Sequence, residues 1–373
     1  MKRDGRENMR ILFLIDRLCI GGAERVVTIL ANSLIKEGCT AGISVFHVSD
    51  KDYKTEQEVQ VFCMGNVKGD GTSLFSKIKR INQRKTLIKN AIEQFQPDVV
   101  IPFLVPMVIE TVSAAKKLKI PVIATMRCSL DSQDFLRKCF YKAALVKCAA
   151  VFLQTESQKN YLNRMIRKKS FVLANPVSQH MIDAGSKRNY RDEMKRFVSV
   201  GRLEKQKNYE MLLAAAALAD GGSGSMILDI YGVGSQAGLL EKMIKEKNLS
   251  QNVRICGWSS QIETVLTQYD AFLMTSNYEG MPNALMEAMA AGMPCIVTDC
   301  PTGPRELIGN NERGLLVRMG DIESFADAMK LFMKNPKMAK DYGILAGEYM
   351  KNNYSAETIS KKLLNQICRV INK

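Results

Sequence analysis

The chain has 373 residues, 46% of them hydrophobic, and a net charge of +15. A chain of this length is too long for a typical single hydrophobic core, so we predict two domains. The sequence has ten cysteines without a C-x-x-C pair and only two histidines. This composition argues against a zinc site and favours reduced thiols in the cytoplasm. The apolar run after the charged first ten residues stops at Asp16, and no apolar run reaches 18 residues. We therefore expect neither a signal peptide nor a transmembrane helix.

The first half of the chain alternates strand and helix patterns. Buried-strand patterns occupy residues 9–15, 43–48, 59–63, 99–102, 122–125, 150–154 and 171–173. A helical pattern over 23–36 follows Gly21 and Gly22, whose backbone can approach a phosphate closely, although two glycines after a strand are often only a turn. This alternation predicts an α/β domain.

The charge excess lies almost entirely in this first half. Residues 1–186 contain 29 Lys and Arg against 17 Asp and Glu, an excess of +12, and the remainder contributes +3. The densest stretches, 77–89, 137–147 and 164–169, mix basic with apolar residues and predict amphipathic helices that bind an anionic membrane surface. Solvated helix faces are the alternative, and no nucleic-acid-binding motif accompanies the charge, so we expect no nucleic-acid partner.

The polar, weakly periodic segment 176–195 predicts a hinge. We place an N-terminal domain at 1–185 and a C-terminal domain at 186–355, followed by a last helix at 356–373. Strand patterns resume at 196–200, 225–231, 253–255, 270–274, 295–298 and 314–317, and they alternate with helical patterns. The second domain is therefore also predicted to be α/β.

Two cations stand in a predicted strand-to-helix loop, V-G-R-L-E-K-Q-K-N at 200–208. Arg202 and Lys207 would reach the crevice beyond the carboxyl end of the strand. Arginine offers a planar fork and lysine a point charge, both suited to a diphosphate. Two ordinary surface cations are the alternative.

Two carboxylates follow the strand at 270–274. Glu279 lies at its predicted mouth, Gly280 and Pro282 predict a tight turn, and Glu287 falls one turn into a helix at 283–291. Backbone N–H groups near Ala284 and Leu285 would be free to face an anion. Acidic residues that merely favour a helix N-terminus are the alternative.

The string at 276–304 resembles the E-x7-E signature of retaining nucleotide-sugar glycosyltransferases with the GT-B fold, and 200–208 resembles the G-R-L-x-x-x-K-N motif of that family. G-G-A-E-R at 21–25 also recurs there. The sequence C-P-T-G-P-R-E at 300–306 resembles a variant found in bacterial enzymes that act on lipid-linked precursors. The chain is thus similar to glycosyltransferase family 4, also called glycosyl transferases group 1, of the bacterial lipid-linked glycan type.

This resemblance implies two Rossmann-like domains facing each other across a cleft, with the last helix crossing back to the N-terminal domain. It implies transfer of a hexose or N-acetylhexosamine, with retention, from a nucleotide sugar to a hydroxyl of a glycan or lipid-linked sugar. We expect UDP as the nucleotide, neither metal nor cofactor, the acceptor on 1–185 and the donor on 186–355. The expected location is the cytoplasm, including the inner face of the plasma membrane.

The same resemblance assigns roles to residues. Arg202 and Lys207 would bind the donor diphosphate, Glu279 would hydrogen bond the donor sugar, and Glu287 would hold the ribose. Arg202, Lys207 and Glu279 are the expected catalytic residues. The full donor-binding set would be Gly21, Gly22, Arg202, Lys207, Glu279, Gly280, Asn283, Ala284, Leu285 and Glu287.

One position departs from the family pattern. Members of the family commonly carry a histidine after the strand that corresponds to 122–125, whereas this chain has Arg127. No simple general base remains there, and Arg127 would contact a donor or acceptor phosphate or pair with Asp131.

Two other functions stay open from the sequence alone. A sugar-nucleotide epimerase with the same fold would act without an acceptor, and a lipid- or polyanion-binding protein would need neither Glu279 nor Glu287.

Overall fold

A computed structural model describes residues 8–19, 21–50, 52–65, 67, 73–127 and 134–372. The strands of this part are β1 (Arg10–Leu14), β2 (Thr40–Val45), β3 (Gln60–Cys63), β4 (Val99–Pro102), β5 (Ile123–Met126), β6 (Ala150–Leu153), β7 (Ser170–Val172), β8 (Arg196–Val200), β9 (Ile227–Tyr231), β10 (Val253–Gly257), β11 (Ala271–Met274), β12 (Cys295–Thr298) and β13 (Leu315–Val317). Each of these strands overlaps one of the strand patterns predicted from the sequence.

The α-helices are α1 (Gly22–Lys36), α2 (Leu74–Phe95), α3 (Val105–Ala115), α4 (Phe135–Lys147), α5 (Arg164–Arg167), α6 (Gln179–Ser186), α7 (Tyr209–Asp220), α8 (Ala237–Glu246), α9 (Ile262–Leu266), α10 (Asn283–Ala290), α11 (Pro304–Ile308), α12 (Ile322–Lys334), α13 (Pro336–Tyr354) and α14 (Ala356–Ile371). Over the described residues, none of them is both long and apolar enough to cross a membrane.

The chain forms two compact units. Unit 1 contains Met1–Pro176 and Ala356–Lys373, and unit 2 contains Val177–Ser355. In unit 1, four parallel strands have the order β3-β2-β1-β4, and three more have the order β5-β6-β7. A parallel bridge between Val100 and Val122 joins these two sets.

Unit 2 contains one parallel sheet with the order β10-β9-β8-β11-β12-β13. The chain winds outward from β8 through β9 to β10, and then returns to place β11 on the other side of β8. This reversal makes the carboxyl ends of β8 and β11 a topological switch point, where open α/β sheets form a ligand crevice.

The last helix, α14, belongs to unit 1. Its buried residues Ile359, Leu363, Leu364 and Ile367 recur at helical spacing, and they join the core that contains β1 and α1. The apolar stripe of α14 is thus covered within unit 1.

The structure places the boundary between the units nine residues earlier than the predicted 185/186, because it assigns residues 177–185 to unit 2. They include most of α6, whose Met181 and Ile182 are buried and which packs on α10 and α13. Close packing is possible because a Cβ on Gly185 would lie only 2.1 Å from the carbonyl oxygen of Ala290. The weak periodicity of this short helix concealed it.

The predicted strand at 43–48 begins and ends three residues too late. β2 covers Thr40–Val45 because Thr40 pairs with Arg10 at the start of β1. After Val45 the amides of Phe46 and His47 donate to the carbonyl oxygen of Asp16, and Val48 is exposed.

Candidate active site

The crevice of unit 2 holds a largely buried ion pair between residues 72 positions apart. The Lys207 ammonium lies 2.7 Å from Glu279 Oε1, and the two side chains are only 14% and 7% exposed. Ser276 Oγ donates to the same carboxylate oxygen at 2.7 Å. Lys207 precedes α7 and Glu279 follows β11, so the switch point brings these two predicted residues together.

Arg202 lies in the same strand-to-helix loop as Lys207 but is exposed. Its guanidinium donates to Gln206 Oε1 at 3.3 Å, and no carboxylate of the described residues lies within ion-pair distance. Gln206 Nε2 in turn donates to the carbonyl oxygen of Tyr278 at 2.9 Å, which ties this loop to the Glu279 turn. The crevice therefore combines one neutralised cation with one available cation.

The glycine turn after β9 supports the Arg202 loop. A Cβ on Gly232 would lie 1.8 Å from the carbonyl oxygen of Gly201, so only glycine permits this approach. The Leu203 amide donates to the carbonyl oxygen of Val233 at 3.0 Å. Glu204 accepts from the amide and hydroxyl of Ser235 at 3.0 and 2.8 Å. This turn fixes the backbone from which Arg202 and Lys207 project.

The turn before α10 is held in place by the segment that follows β12. Thr302 Oγ1 donates to the carbonyl oxygen of Glu279. Gly303 has a φ of +88°, and a Cβ there would lie 2.5 Å from the carbonyl oxygen of Gly280. A side chain at Gly303 would therefore push the Glu279 turn out of place.

Helix α10 begins as the two-carboxylate pattern predicts. Its N-cap is Pro282, which provides no side-chain acceptor, and its first turn contains Asn283, Ala284 and Leu285. Glu287 follows in the next turn and is 9% exposed. The positive end of the α10 dipole thus lies next to the Lys207–Glu279 pair along the chain.

Two residues that the sequence analysis did not predict lie close to the Lys207–Glu279 pair. Tyr209 is buried, and burial raises the pKa of its hydroxyl. Ser276 precedes Glu279 by three residues, a spacing that resembles an ordinary capping pattern and gave no separate signal. The charged residues of the site are therefore visible in the sequence, whereas the Ser276 hydroxyl that donates to Glu279 is not.

Gly21 and Gly22 belong to unit 1, where Gly21 is the N-cap of α1 and Gly22 its first residue. The Glu24 carboxylate folds back over them, with Oε2 2.0 Å from where a Cβ on Gly21 would stand. Burial raises the pKa of Glu24, while hydrogen bonds from backbone amides oppose the rise. A phosphate bound at the N-terminus of α1 would compete with the Glu24 carboxylate for these backbone amides.

Arg127 follows β5 and is partly buried. Its guanidinium donates to Asn175 Oδ1 and lies 4.6 Å from the centre of the Phe103 ring. Burial lowers the pKa of Arg127 to about 9, and Glu24 acts in the opposite direction. The alternative partner Asp131 lies outside the described residues.

Unit 1 also contains a pocket of about 760 Å³. At its floor, Arg84 donates to Asp16 at 2.6 Å and to both oxygens of Glu110 at 2.9 and 2.8 Å. Burial raises the pKa of Glu110, and Arg84 counteracts it. The rest of the lining is His47, Val67, Arg80, Ile81, Lys85, Pro106, Ile109, Asp134, Arg137 and Phe140.

Two family models match this chain. Glycosyltransferase Family 4 matches residues 20–179, and Glycosyl transferases group 1 matches residues 184–347. Between them they cover most of both units.

A Campylobacter jejuni GalNAc-α-(1→4)-GalNAc-α-(1→3)-diNAcBac-PP-undecaprenol α-1,4-N-acetyl-D-galactosaminyltransferase is 28% identical over 370 residues, which span 98% of this chain and 99% of that protein. The Staphylococcus aureus poly(ribitol-phosphate) α-N-acetylglucosaminyltransferase is 29% identical over 220 residues, 59% of this chain and 44% of that protein. Neither relative supports the epimerase alternative.

Anabaena Alr3699/HepE, solved with UDP and glucose, has a TM-score of 0.82 at 15% identity and covers 97% of this chain and 100% of its own. That likeness concerns the fold alone. The family matches, the two parallel α/β units and this fold together identify the chain as a GT-B glycosyltransferase, with residues 20–179 in Glycosyltransferase Family 4 and 184–347 in Glycosyl transferases group 1.

Proposed function

We propose that this chain transfers a hexose or N-acetylhexosamine from a UDP-sugar, with retention and without a metal, to a hydroxyl of a glycan or lipid-linked sugar. The observation that carries the proposal is the largely buried Lys207–Glu279 pair at the switch point of unit 2, with Arg202 in the same loop as Lys207. Cations placed there suit a leaving diphosphate. The names of the two relatives, which act on a lipid-linked glycan and a polyol phosphate, support the acceptor class.

In this mechanism the bond between the anomeric carbon and the diphosphate oxygen breaks, and the electron pair stays on the diphosphate. Arg202 and Lys207 stabilise that charge. The acceptor hydroxyl attacks the face that the diphosphate leaves, and the departing oxygen takes its proton. Glu279 orients the donor sugar, Glu287 holds the ribose, and the α10 first turn and Gly280 complete the donor site.

The acceptor would lie on unit 1, whose 760 Å³ pocket offers both charged and apolar walls. The test is mass-spectrometric screening of UDP-, GDP- and dTDP-sugars against glycans and lipid-diphosphate sugars. A glycosylated product with the donor's anomeric configuration supports the proposal. Turnover of a nucleotide sugar to its C2 epimer without acceptor, or product with inverted configuration, would contradict it.

Glu279→Gln should keep measurable activity and form the same anomer. An amide still hydrogen bonds the sugar but cannot form a glycosyl ester, so the loss should be about 1.5–3 kcal/mol of transition-state stabilisation. We would measure kcat/KM and product configuration by NMR, with Glu210→Gln on exposed α7 surface as the matched control. Complete inactivity, together with a trapped glycosyl adduct on native Glu279, would show that Glu279 is a nucleophile.

We also propose that unit 1 docks on an anionic membrane at the cytoplasmic side. Helices α2 and α4 both pack on α3, and each leaves large apolar side chains in solvent beside basic residues. Phe75 is 80% and Phe135 78% exposed. The remaining exposed apolar residues are Ile78, Ile81, Leu136 and Phe140, and the neighbouring cations are Lys77, Arg80, Lys138 and Lys142.

The protein should sediment with phosphatidylglycerol vesicles at low salt and dissociate as salt rises. Each basic residue near the surface contributes about 1 kcal/mol, and salt screens that attraction. The double variant Phe75→Ser with Phe135→Ser should bind these vesicles more weakly than the native protein, although its charge is unchanged. The control variant Val48→Ser, also at an exposed position, should bind like the native protein. Equal binding to neutral phosphatidylcholine vesicles would contradict the electrostatic part of this proposal.

A further inference from the structure

Three polar side chains meet where β5, β6 and β7 end. Arg127, Gln154 and Asn175 each follow one of these neighbouring parallel strands, and Gln154 and Asn175 are 6% and 1% exposed. Asn175 Oδ1 accepts from both others, from the Arg127 guanidinium and from Gln154 Nε2 at 3.2 Å. This Arg127 cluster lies on the side of unit 1 where a parallel sheet binds ligands.

The arginine determines the orientation of both amides. A guanidinium can only donate, so Asn175 must present its oxygen to it, and Gln154 must then present its nitrogen to Asn175. The remaining oxygen, Gln154 Oε1, is buried and has no hydrogen-bond partner in the described chain. Arg127 therefore sets the orientation of both amide side chains, and one buried acceptor of the network, Gln154 Oε1, lacks a donor among the described residues.

The cluster carries a net positive charge that its own residues do not balance. Among the described residues, no carboxylate lies within ion-pair distance of Arg127, and Glu24 acts only at longer range. Asparagine occupies the position where an aspartate of the same shape would neutralise the guanidinium. A partly buried cation that has no counter-ion among the described residues is costly unless another group, such as a ligand, supplies the charge.

We propose that the Arg127 cluster binds a phosphate group of the substrate, with Arg127 as its ligand and Asn175 and Gln154 as positioning residues. This inference rests on the proposed function for the identity of the substrate. The acceptor's lipid diphosphate and the donor's diphosphate present the same chemistry to Arg127. Arginine donates two parallel hydrogen bonds to such an oxyanion, and the Phe103 ring supports the guanidinium plane.

The test is Asn175→Asp, which supplies the missing negative charge without changing the shape of the cluster. Binding of farnesyl diphosphate, a short polyprenyl diphosphate without sugar, is measured by calorimetry on the full chain. Its affinity should fall about tenfold or more in Asn175→Asp and in Arg127→Met, because a charge-assisted hydrogen bond is lost. Asn163→Asp, at the exposed N-cap of α5, adds the same charge and should have no effect.

The thermal unfolding midpoint of Asn175→Asp should be equal to or above that of the native protein, since Arg127 gains an ion pair. A second titration with UDP identifies the source of the phosphate: loss of UDP affinity assigns it to the donor, and loss of farnesyl diphosphate affinity to the acceptor. Unchanged affinity for both probes in Asn175→Asp and Arg127→Met would overturn the proposal and leave Arg127 a structural residue. Because binding is read without turnover, this result is independent of whether the chain transfers a sugar.

Discussion

Replacing Lys207 with methionine should lower kcat for sugar transfer by about 100- to 1000-fold, since one positioned charge-stabilising group contributes about 2.7–4 kcal/mol in comparable sites. It should also destabilise the fold by about 3–5 kcal/mol. The ammonium is the counter-ion of Glu279, and both side chains are largely buried, so the loss of the ammonium leaves an uncompensated carboxylate. Activity assays would measure kcat, and denaturant unfolding would measure the free energy of unfolding.

The double variant Lys207→Met with Glu279→Gln tests the reason for the instability. Removing both charges should restore most of the lost free energy of unfolding, although activity should remain low. If Lys207→Met is as stable as the native protein, the ion pair contributes nothing to the fold. If its activity is also normal, Lys207 has no role in transfer.

Replacing Arg202 with alanine should lower kcat by a similar factor of about 100 to 1000, but with little change in stability. Arg202 is exposed, and within the described structure its guanidinium donates to the neutral Gln206 side chain, so its removal leaves no buried charge behind. The expected effect on the free energy of unfolding is within about 0.5 kcal/mol.

The matched control for this variant is Lys205→Ala. Lys205 is an exposed cation of the same loop, and its backbone oxygen, which alanine retains, accepts from the Asn277 side chain and the Asn208 amide. Lys205→Ala should therefore be active. Equal losses in both variants would mean that the loop's total charge attracts the donor, and normal turnover in Arg202→Ala would remove Arg202 from the mechanism.

The contrast between these two cations could not be predicted from the sequence. Both belong to one short motif at 200–208, and the motif predicts one common role for them. Their different burial arises because β11 lies beside β8, which places Glu279 and Ser276 against Lys207 but not against Arg202. Strand order depends on how the whole sheet buries its apolar faces, and no local pattern contains it.

Errors of the sequence analysis occurred where local signals were weak. Helix α6 has few periodic positions, and it is held by distant partners: Gly185 lies in close contact with the end of α10 at Ala290, which is 105 residues away. The limits of β2 follow from its register with β1. Both features are stabilised by partners distant in the chain, so windows of ten residues could not detect them.

The sequence alone determined the two α/β units, the strand-to-helix loops and the charged residues Arg202, Lys207, Glu279 and Glu287, because apolar periodicity, glycine turns and residue chemistry are local properties. Only the tertiary structure decided which of these charges pair, and that Asn175 and Gln154 join Arg127 at the ends of β5, β6 and β7. Such neighbours come from different strands. Their meeting is a consequence of sheet order and core packing, which the chain acquires only when it folds as a whole.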